Sequence, residues 1–530
     1  MADRPALHVP VNPVRFVTAA SLFDGHDAAI NIMRRLLQSQ GAEVVHLGHD
    51  RSVQEVVTAV LQEDAQGVAI SSYQGGHVEY FGYLAKELAA RGAGHVKIYG
   101  GGGGVIVPAE IAQLAAVGVH IFSPQDGQRL GLPGMINELV RECDTDLATD
   151  PTPFDALLAG DERALARTIT VLESGHDFEL GARIREAAAH RTVPVLGLTG
   201  TGGSGKSSLS DELIRRLRRD SQDKVRVAVL AIDPTRRRGG GALLGDRIRM
   251  NSVEPGVVFF RSLATRSSGA VVPDGLDDMI AAAKVAGFDL VVVETPGIGQ
   301  GDAAITDFVD VSVYVMTPEF GSASQLEKID MLDFADVVAI NKFERRGAED
   351  ARRDVARQMV RNRQAFGMPW EDMPVFGTSA ARFDDDGVTA LYQHLKGLLR
   401  EKGLPEFEGT LPVPATKVSS GLTSVLPKGR ERYLAEIAAS VRDYHATTVQ
   451  QCAAARRAQQ IEATKALLAE RASDDTAGAV AAVGHLLTDA VAALDGSTTR
   501  LLGEWPGQVA AYDGDEQVYV VRGQEFRTPL

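Results

Sequence analysis

Two short stretches of this 530-residue chain carry side chains whose types and spacing could do chemistry. The first is Gly200-Thr201-Gly202-Gly203-Ser204-Gly205-Lys206-Ser207-Ser208, which falls in the GxxxxGK[ST] register. Its glycines let backbone N–H groups turn inward around a phosphate, and the positive end of the helix that follows adds to them. Lys206 is placed to reach the outer phosphates and Ser207 to ligate Mg²⁺, with Gly203, Ser204, Gly205 and Ser208 completing the cradle. The second stretch is Asp24-Gly25-His26-Asp27, an imidazole between two carboxylates at the end of an apolar run. That pattern suits a polar turn, and it suits a histidine tuned to hold a metal.

Downstream of the glycine-rich loop, "VLAIDPT" delivers Asp233 at a strand end, and "LVVVETPGIGQ" places Glu294, Thr295 and Gly297 just after a buried strand. Mg²⁺ takes few protein ligands and keeps waters, so one serine with one or two carboxylates suffices. Lys206, Asp233 and Glu294 are therefore the candidate catalytic residues of a nucleotide hydrolase. "VVAINKFE" puts Asn341, Lys342, Phe343 and Glu344 where a base-reading motif belongs, and "GTSA", Gly377 to Ala380, is a closing loop over the base. A carboxylate at Glu344 accepts from guanine N1–H and N2–H₂, whereas adenine offers an acceptor at N1; Glu stands here where Asp is usual. The set reads as a GTPase. Between these motifs, "DPTRRRGGGALLGDRIRMN" is a basic, glycine-rich loop that reads as a switch ordering on nucleotide and partner contact.

The elements that must position these residues follow from periodicity. "VRFVTAA", "AEVVHLG", "GVAISS", "VKIYGG" and "VHIFSP" read as strands separated by helical patterns, which predicts a parallel doubly wound sheet over residues 1–147. The first helix shows Ala29, Ile32, Met33, Leu36 and Leu37 on one face, with Asp27 as its cap and Gly41 beyond its end. Ser52 and Glu55 form a capping box for the second helix. Ligands of such sheets sit outside the carboxyl ends of the strands. Asp24 to His26, Ser71 to Gly76 and Gly100 to Gly104 all lie there, which turns the reading of His26 from turn residue to ligand. Asp24 can accept from one imidazole nitrogen and raise the basicity of the other. Residues 148–190 read as a helical connector, 191–412 as a second α/β unit, and 413–530 as mainly helical, with a terminal hairpin turning at Asp513-Gly514.

Composition narrows the class. The 55 basic and 70 acidic side chains give a net charge of −15, which argues against a nucleic-acid partner. No apolar run approaches the roughly 18 residues a membrane helix needs, and the first residues lack a signal-peptide layout, so a cytoplasmic, membrane-free location is expected. Two distant cysteines exclude a disulfide framework and a zinc site.

On these residues the chain resembles two modules of one family. Residues 191–412 resemble the G-protein chaperones of adenosylcobalamin-dependent mutases, carried by Gly200 to Ser208, "DPTRRRGGGALLGDRIRMN" and "ETPGIGQ". The resemblance implies metal contacts at Ser207, Ile232 through its carbonyl, Asp233, Asp246, Glu294 and Thr295, and a nucleotide contact at Arg249. Residues 12–145 resemble the cobalamin-binding domain, a flavodoxin-like fold with the signature DxHxxG, SxL, GG. The matching positions are Asp24, His26 and Ala29, then Ser71, Ser72 and Tyr73, then Gly103 and Gly104; Ala29 replaces Gly and Tyr73 replaces Leu. The resemblance implies that His26 ligates cobalt from below.

The two modules in this order resemble the fused isobutyryl-CoA mutases, in which a linker and a substrate-binding barrel follow; nothing in residues 413–530 reads as that barrel. The implied activity is a radical carbonyl-thioester shift between isobutyryl-CoA and n-butyryl-CoA, with the GTPase gating cofactor loading, in a homodimer. The implied cofactors are adenosylcobalamin, GTP and Mg²⁺. An alternative is a stand-alone cobalamin-carrying GTPase that serves a separate mutase subunit. A P-loop kinase with a response-regulator-like first domain would need an Asp at the end of the third strand, where Ser71 and Ser72 stand instead.

Overall fold

The computed structural model describes residues 7–150, 153–175, 177–235, 241–266, 272–297, 302–320, 326–420, 433–471, 474–521 and 524–529. The chain divides into two units, Met1–Thr423 and Ser424–Leu530.

The first unit holds two parallel sheets. Strands β1 (Arg15–Ser21), β2 (Glu43–Arg51), β3 (Gly67–Ser71), β4 (Lys97–Gly101) and β5 (Val119–Ile121) alternate with helices α1 (Ala28–Ser39), α2 (Val53–Gln62), α3 (His77–Ala90) and α4 (Pro108–Ala115), and α5 (Pro124–Cys143) follows. β1 is buried along its whole length, as a strand covered on both faces must be. α1 and α5 pack on one face through Ile30, Leu37, Met135, Ile136 and Leu139. α2 and α3 pack on the other through Val56, Val60, Phe81 and Leu84. The inward face of α1 keeps Met33, Leu36 and Leu37 as expected, with Ile30 buried in place of Ile32, which is half exposed. Both halves of the Ser52–Glu55 capping box form. Asp27 does not cap α1; its backbone is already helical, and its carboxylate takes Asn31 Nδ2 at 3.0 Å instead.

Helices α6 (Phe154–Leu158), α7 (Glu162–Ser174) and α8 (Phe178–Ala188) form the connector, and they do more than connect. Leu157, Leu165, Ile169 and Ile184 pack into the core beneath the second sheet. That sheet is built from β6 (Val195–Gly200), α9 (Lys206–Ser221), β7 (Val227–Asp233), β8 (Ala242–Leu244), β9 (Val258–Ala264), α10 (Leu276–Val285), β10 (Leu290–Glu294), β11 (Val311–Met316), α11 (Met331–Phe334), β12 (Val337–Asn341), α12 (Ala348–Asn362), β13 (Val375–Thr378) and α13 (Asp386–Glu401), with one exception among the strands. Its order is β13-β12-β11-β6-β10-β7-β9, whereas β8 joins the first sheet, β5-β4-β3-β1-β2-β8. A strand from the second α/β segment thus completes the edge of the first.

Buried charge holds the sheets together. Glu63, fully buried after α2, accepts from the Ser262 amide and hydroxyl of β9 at 3.0 and 2.9 Å. Arg15 of β1 pairs with Glu43 at 2.7 Å, and Arg261 of β9 with Glu173 of α7 at 2.6 Å. Burial alone would favour a neutral Arg15, but Glu43, Glu173 and Glu63 around it raise its pKa. Removing one partner from such a cluster leaves an uncompensated buried charge, a loss of about 3–5 kcal/mol.

The second unit contains α14 (Tyr433–Glu470) packed on α15 (Asp474–Ala492), then α16 (Gly496–Ala511) and an antiparallel pair, β14 (Glu516–Val521) and β15 (Gln524–Pro529). The pairing of Val521 with Gln524 puts the reversal there, so Asp513-Gly514 precedes the hairpin rather than turning it. Among the described residues, no single helix is long and apolar enough to cross a membrane.

Candidate functional site

At the carboxyl edge of the first sheet, the chain leaves β1 and folds over Asp24, which is almost wholly buried. One carboxylate oxygen accepts from the His26 amide at 2.9 Å and His26 Nδ1 at 2.8 Å; the other accepts from the Tyr73 amide at 2.5 Å. Burial pushes the Asp24 carboxyl up, but the Tyr73 and His26 donors outweigh it and hold the group below the usual carboxylate range. Asp24 is therefore an anion that fixes the ring through Nδ1 and leaves Nε2 as the nitrogen a metal could take. The His26 side chain is 78% exposed, beside the Tyr73 ring at 5.7 Å.

Next to this loop lies a cleft of about 810 Å³, mouth included, between β3, β4, α1 and α5. Ile30, Met33, Leu37, Phe122, Met135 and Leu139 give it an apolar wall, and Ser71, Tyr73 and Gly100 to Gly103 form its rim. The Ser71 hydroxyl is buried with no protein partner, an orphan of the kind a ligand satisfies. Ser72 does not line the cleft; its hydroxyl receives that of Ser21 at 2.9 Å and ties β1 to β3. Gly104 also lies outside the lining. Within the Gly100–Gly104 run, Gly102 is the position that tolerates no side chain, because a Cβ there would fall 1.9 Å from the Ser72 carbonyl oxygen. On α1 the expected face supplies Ala29, Met33 and Leu37 to the cleft, joined by Ile30, whereas the wall from α5 has no counterpart in the sequence reading. An apolar slot with one unsatisfied hydroxyl fits a flat heteroaromatic group, and the carboxylate-held imidazole beside it leaves Nε2 for a metal.

The second sheet gathers the other candidates where β6, β7, β10 and β12 end. Gly205 takes φ 90°, the left-handed turn that opens α9. Lys206 donates to the Gly200 and Thr201 carbonyls at 2.9 and 3.3 Å. Ser207 and Ser210 donate to the two oxygens of Glu294, at 2.7 and 2.9 Å. Thr295 donates to Thr199 at 2.8 Å. The Thr201 and Ser204 hydroxyls are buried without a protein partner, and Ser208 lies in the first turn of α9. Asp233 ends β7, and Ile232 is fully buried within the ladder opposite Leu263.

Asn341 braces the phosphate loop from the base side, donating to the Ser204 carbonyl at 2.8 Å and accepting from the Ala380 amide at 3.1 Å. Lys342 reaches the Gly203 carbonyl at 2.7 Å. Glu344 accepts from Ser379 of the GTSA loop at 2.8 Å, and Phe343 is buried against β13. Arg249 and the backbone of Asp246 lie on a separate short turn, Asp246–Arg249, anchored by Arg247 rather than by the phosphate loop. Residues 236–240 and 298–300 of the two switch motifs lie outside the described residues.

The comparisons with known proteins agree with this geometry. Residues 14–127 match the B12 binding domain, and residues 165–404 match the methylmalonyl-CoA mutase-associated GTPase MeaB. The fused isobutyryl-CoA mutase of Nocardia farcinica is 64% identical over 100% of this chain and 49% of its own length. Proteins of the same name are 57% identical in Cupriavidus metallidurans (98% of this chain, 48% of theirs) and 49% identical in Geobacillus kaustophilus (99% and 49%). The chain spans about half the length of these curated relatives.

Fold and site together define a cobalamin-binding domain joined to a P-loop GTPase that takes GTP and Mg²⁺. By sequence the chain matches the fused isobutyryl-CoA mutases throughout its own length, over the portion that pairs a cobalamin-binding domain with a GTPase.

Proposed function

We propose that the chain acts within an adenosylcobalamin-dependent mutase that interconverts isobutyryl-CoA and n-butyryl-CoA, its GTPase gating cofactor loading. The acyl-CoA would be met by a barrel region outside these 530 residues, in a cytoplasmic homodimer. The observation that carries this reading is the Asp24–His26 pair beside a cleft with an orphaned Ser71 hydroxyl. Adenosylcobalamin, when bound, supplies the radical chemistry; the chain's own residues bind, orient and shield. In this reading Asp24 holds His26 in the tautomer that presents Nε2 to cobalt. Ser71, Tyr73 and Gly103 receive the nucleotide tail, while Ser72 and Gly104 support the loops around it.

On the nucleotide side, Lys206 turns from the Gly200 carbonyl to the outer phosphates. Gly203, Ser204, Gly205 and Ser208 cradle them. Ser207, Glu294, Asp233, Thr295, the Ile232 carbonyl and Asp246 would hold Mg²⁺, which would polarise the phosphates, with Arg249 on the nucleotide. Asn341, Lys342, Phe343 and Glu344 frame the base.

A titration of the purified chain with adenosylcobalamin, followed by visible absorption, tests this. The expected result is a ligand-dependent shift of the cobalt band that His26→Ala abolishes. A chain that gives no shift, or an unchanged shift in His26→Ala, overturns the reading.

A further inference from the structure

The segment between Asp233 and Asp246 belongs to the GTPase by sequence, yet Ala242–Leu244 within it lies on the cobalamin-binding sheet. β8 runs parallel to β2, with Ala242 opposite Glu43, Leu243 opposite Val44 and Leu244 opposite Val45. Ala242 and Leu244 are fully buried in the first sheet's core. The entry to this strand admits only glycine, because a Cβ on Gly241 would fall 2.2 Å from the Gln38 carbonyl oxygen and 2.6 Å from that of Ala42. Those contacts are backbone, and backbone cannot step aside. Its exit is anchored by Arg247, which is buried and donates to Gln62 Oε1 at 2.7 Å, the Phe260 carbonyl at 2.8 Å and Glu63 Oε1 at 3.3 Å.

β2, the strand that receives β8, also reaches the cobalt-ligand loop. At its end Asp50 turns into the left-handed region at φ 57°. Its carboxylate accepts from the Phe23 amide at 2.7 Å, and its own amide donates to the Asp24 carbonyl at 3.3 Å. The backbone on either side of Asp24 is thus tied to β2, and Asp24 holds His26. A continuous path of hydrogen-bonded backbone joins the nucleotide-side segment to the imidazole: β8, β2, Asp50, Asp24, His26.

We propose that Ala242–Leu244 is a coupling strand, lent by the GTPase to the edge of the cobalamin-binding sheet, through which nucleotide occupancy is read at the His26 loop, with Asp50 as a positioning residue. This rests on the proposed cobalamin and nucleotide sites. Strand addition to a sheet edge is a two-state element, paired or unpaired, and its side-chain pockets set its register. The residues flanking it, Asp233 and Asp246, are those assigned to Mg²⁺, so a nucleotide that recruits them changes the free energy of pairing. By linkage the effect is reciprocal, and cobalamin must change nucleotide affinity by the same factor.

The test measures the dissociation constant of adenosylcobalamin for the full chain, with and without Mg²⁺ and a non-hydrolysable GTP analogue. A ratio in the range of about 5–150-fold is expected for the wild type. Gly241→Val should bring the ratio to one while both ligands still bind, and so should Asp50→Ala. Asp50→Asn keeps an acceptor for the Phe23 amide and should restore it. A wild type that binds both ligands with a ratio of one overturns the coupling strand, as does a ratio that survives in Gly241→Val and Asp50→Ala. A wild type that fails to bind either ligand overturns instead the site assignments beneath it.

Hydrogen exchange on the wild type keeps the proposal open to refutation if the variants do not fold. Amides of residues 242–244 and 43–45 must change protection when the analogue is added. Unchanged protection there overturns the proposal.

Discussion

The two sites occupy equivalent edges of two similarly built sheets, yet the groups at their centres differ: Glu294 is shared by two serines, whereas the His26 ring stands in solvent. At the nucleotide site the central groups already have partners, since Ser207 and Ser210 share Glu294 and Lys206 is held by loop carbonyls, while the Thr201 and Ser204 hydroxyls of the loop have no protein partner. At the cobalamin site only the support is satisfied. Asp24 is closed in, while the His26 ring stands in solvent and the Ser71 hydroxyl has no protein partner. Ligand binding at the first site exchanges one set of strong partners for another, so the protein is pre-organised and selectivity comes from what replaces each bond. Binding at the second site closes an apolar cleft and satisfies an orphan, so affinity there comes from burial. The comparison predicts that damage to one site leaves the other able to bind its own ligand, so that only the coupling between them is lost.

The largest expected effect is on the closed side. Lys206→Ala removes the ammonium that the phosphate loop itself carries, and GTP turnover should fall by about 10²–10³-fold, the scale of losing a preorganised donor to developing charge. The adenosylcobalamin spectrum should be unaffected; if it changed in parallel, the two sites would not be separable. On the open side, Asp24→Asn keeps the shape but loses the charge that orients the imidazole, and cobalt ligation should weaken by about 10–100-fold. A His26-dependent absorption shift of undiminished midpoint would show that the carboxylate is structural only. GTP turnover is the control, expected to be unchanged.

Much of this was legible in the sequence because parallel strands and phosphate loops are local signals. The strand pattern of Phe16 to Ala20 and the GxxxxGK[ST] register each declare themselves within a dozen positions. The Asp24–His26 bond was legible for the same reason, the two residues being neighbours on one turn. What escaped is what depends on distant partners. β8 is three residues long and follows three glycines, so it read as loop; its identity as a strand comes from β2, some two hundred positions away. The first-turn aspartate was misread because Asp27 already has helical backbone angles, which take its carboxylate away from the amides a cap must meet. The wall of the cleft escaped because α5 is broken at Gly131 and shows no clean period.

The smallest expected effect concerns pH, and it sharpens the comparison by asking which sheet yields first to acid. His46 lies on β2, buried, with Nδ1 2.9 Å from the Thr18 hydroxyl. Burial, reinforced by Arg34, lowers its pKa from 6.5 to about 4. The folded chain therefore keeps this imidazole neutral where the unfolded chain protonates it. Since stability rises with pH wherever the unfolded state binds more protons, the His46 contribution is complete above 6.5 and lost as pH falls toward about 4. Glu43 on the same strand acts lower: burial would raise it, but Arg266 and Arg15 hold it far below 4.5, so its contribution fades only beneath that value. Between pH 6.5 and 4, then, acid should loosen the first sheet through His46 before the buried carboxylates respond. His46→Gln should flatten the fall in urea midpoint across this range while leaving the steeper loss below it. An unchanged slope in His46→Gln would place the acid-sensitive group elsewhere, and would remove β2 as the strand at which the cobalamin-binding sheet begins to open.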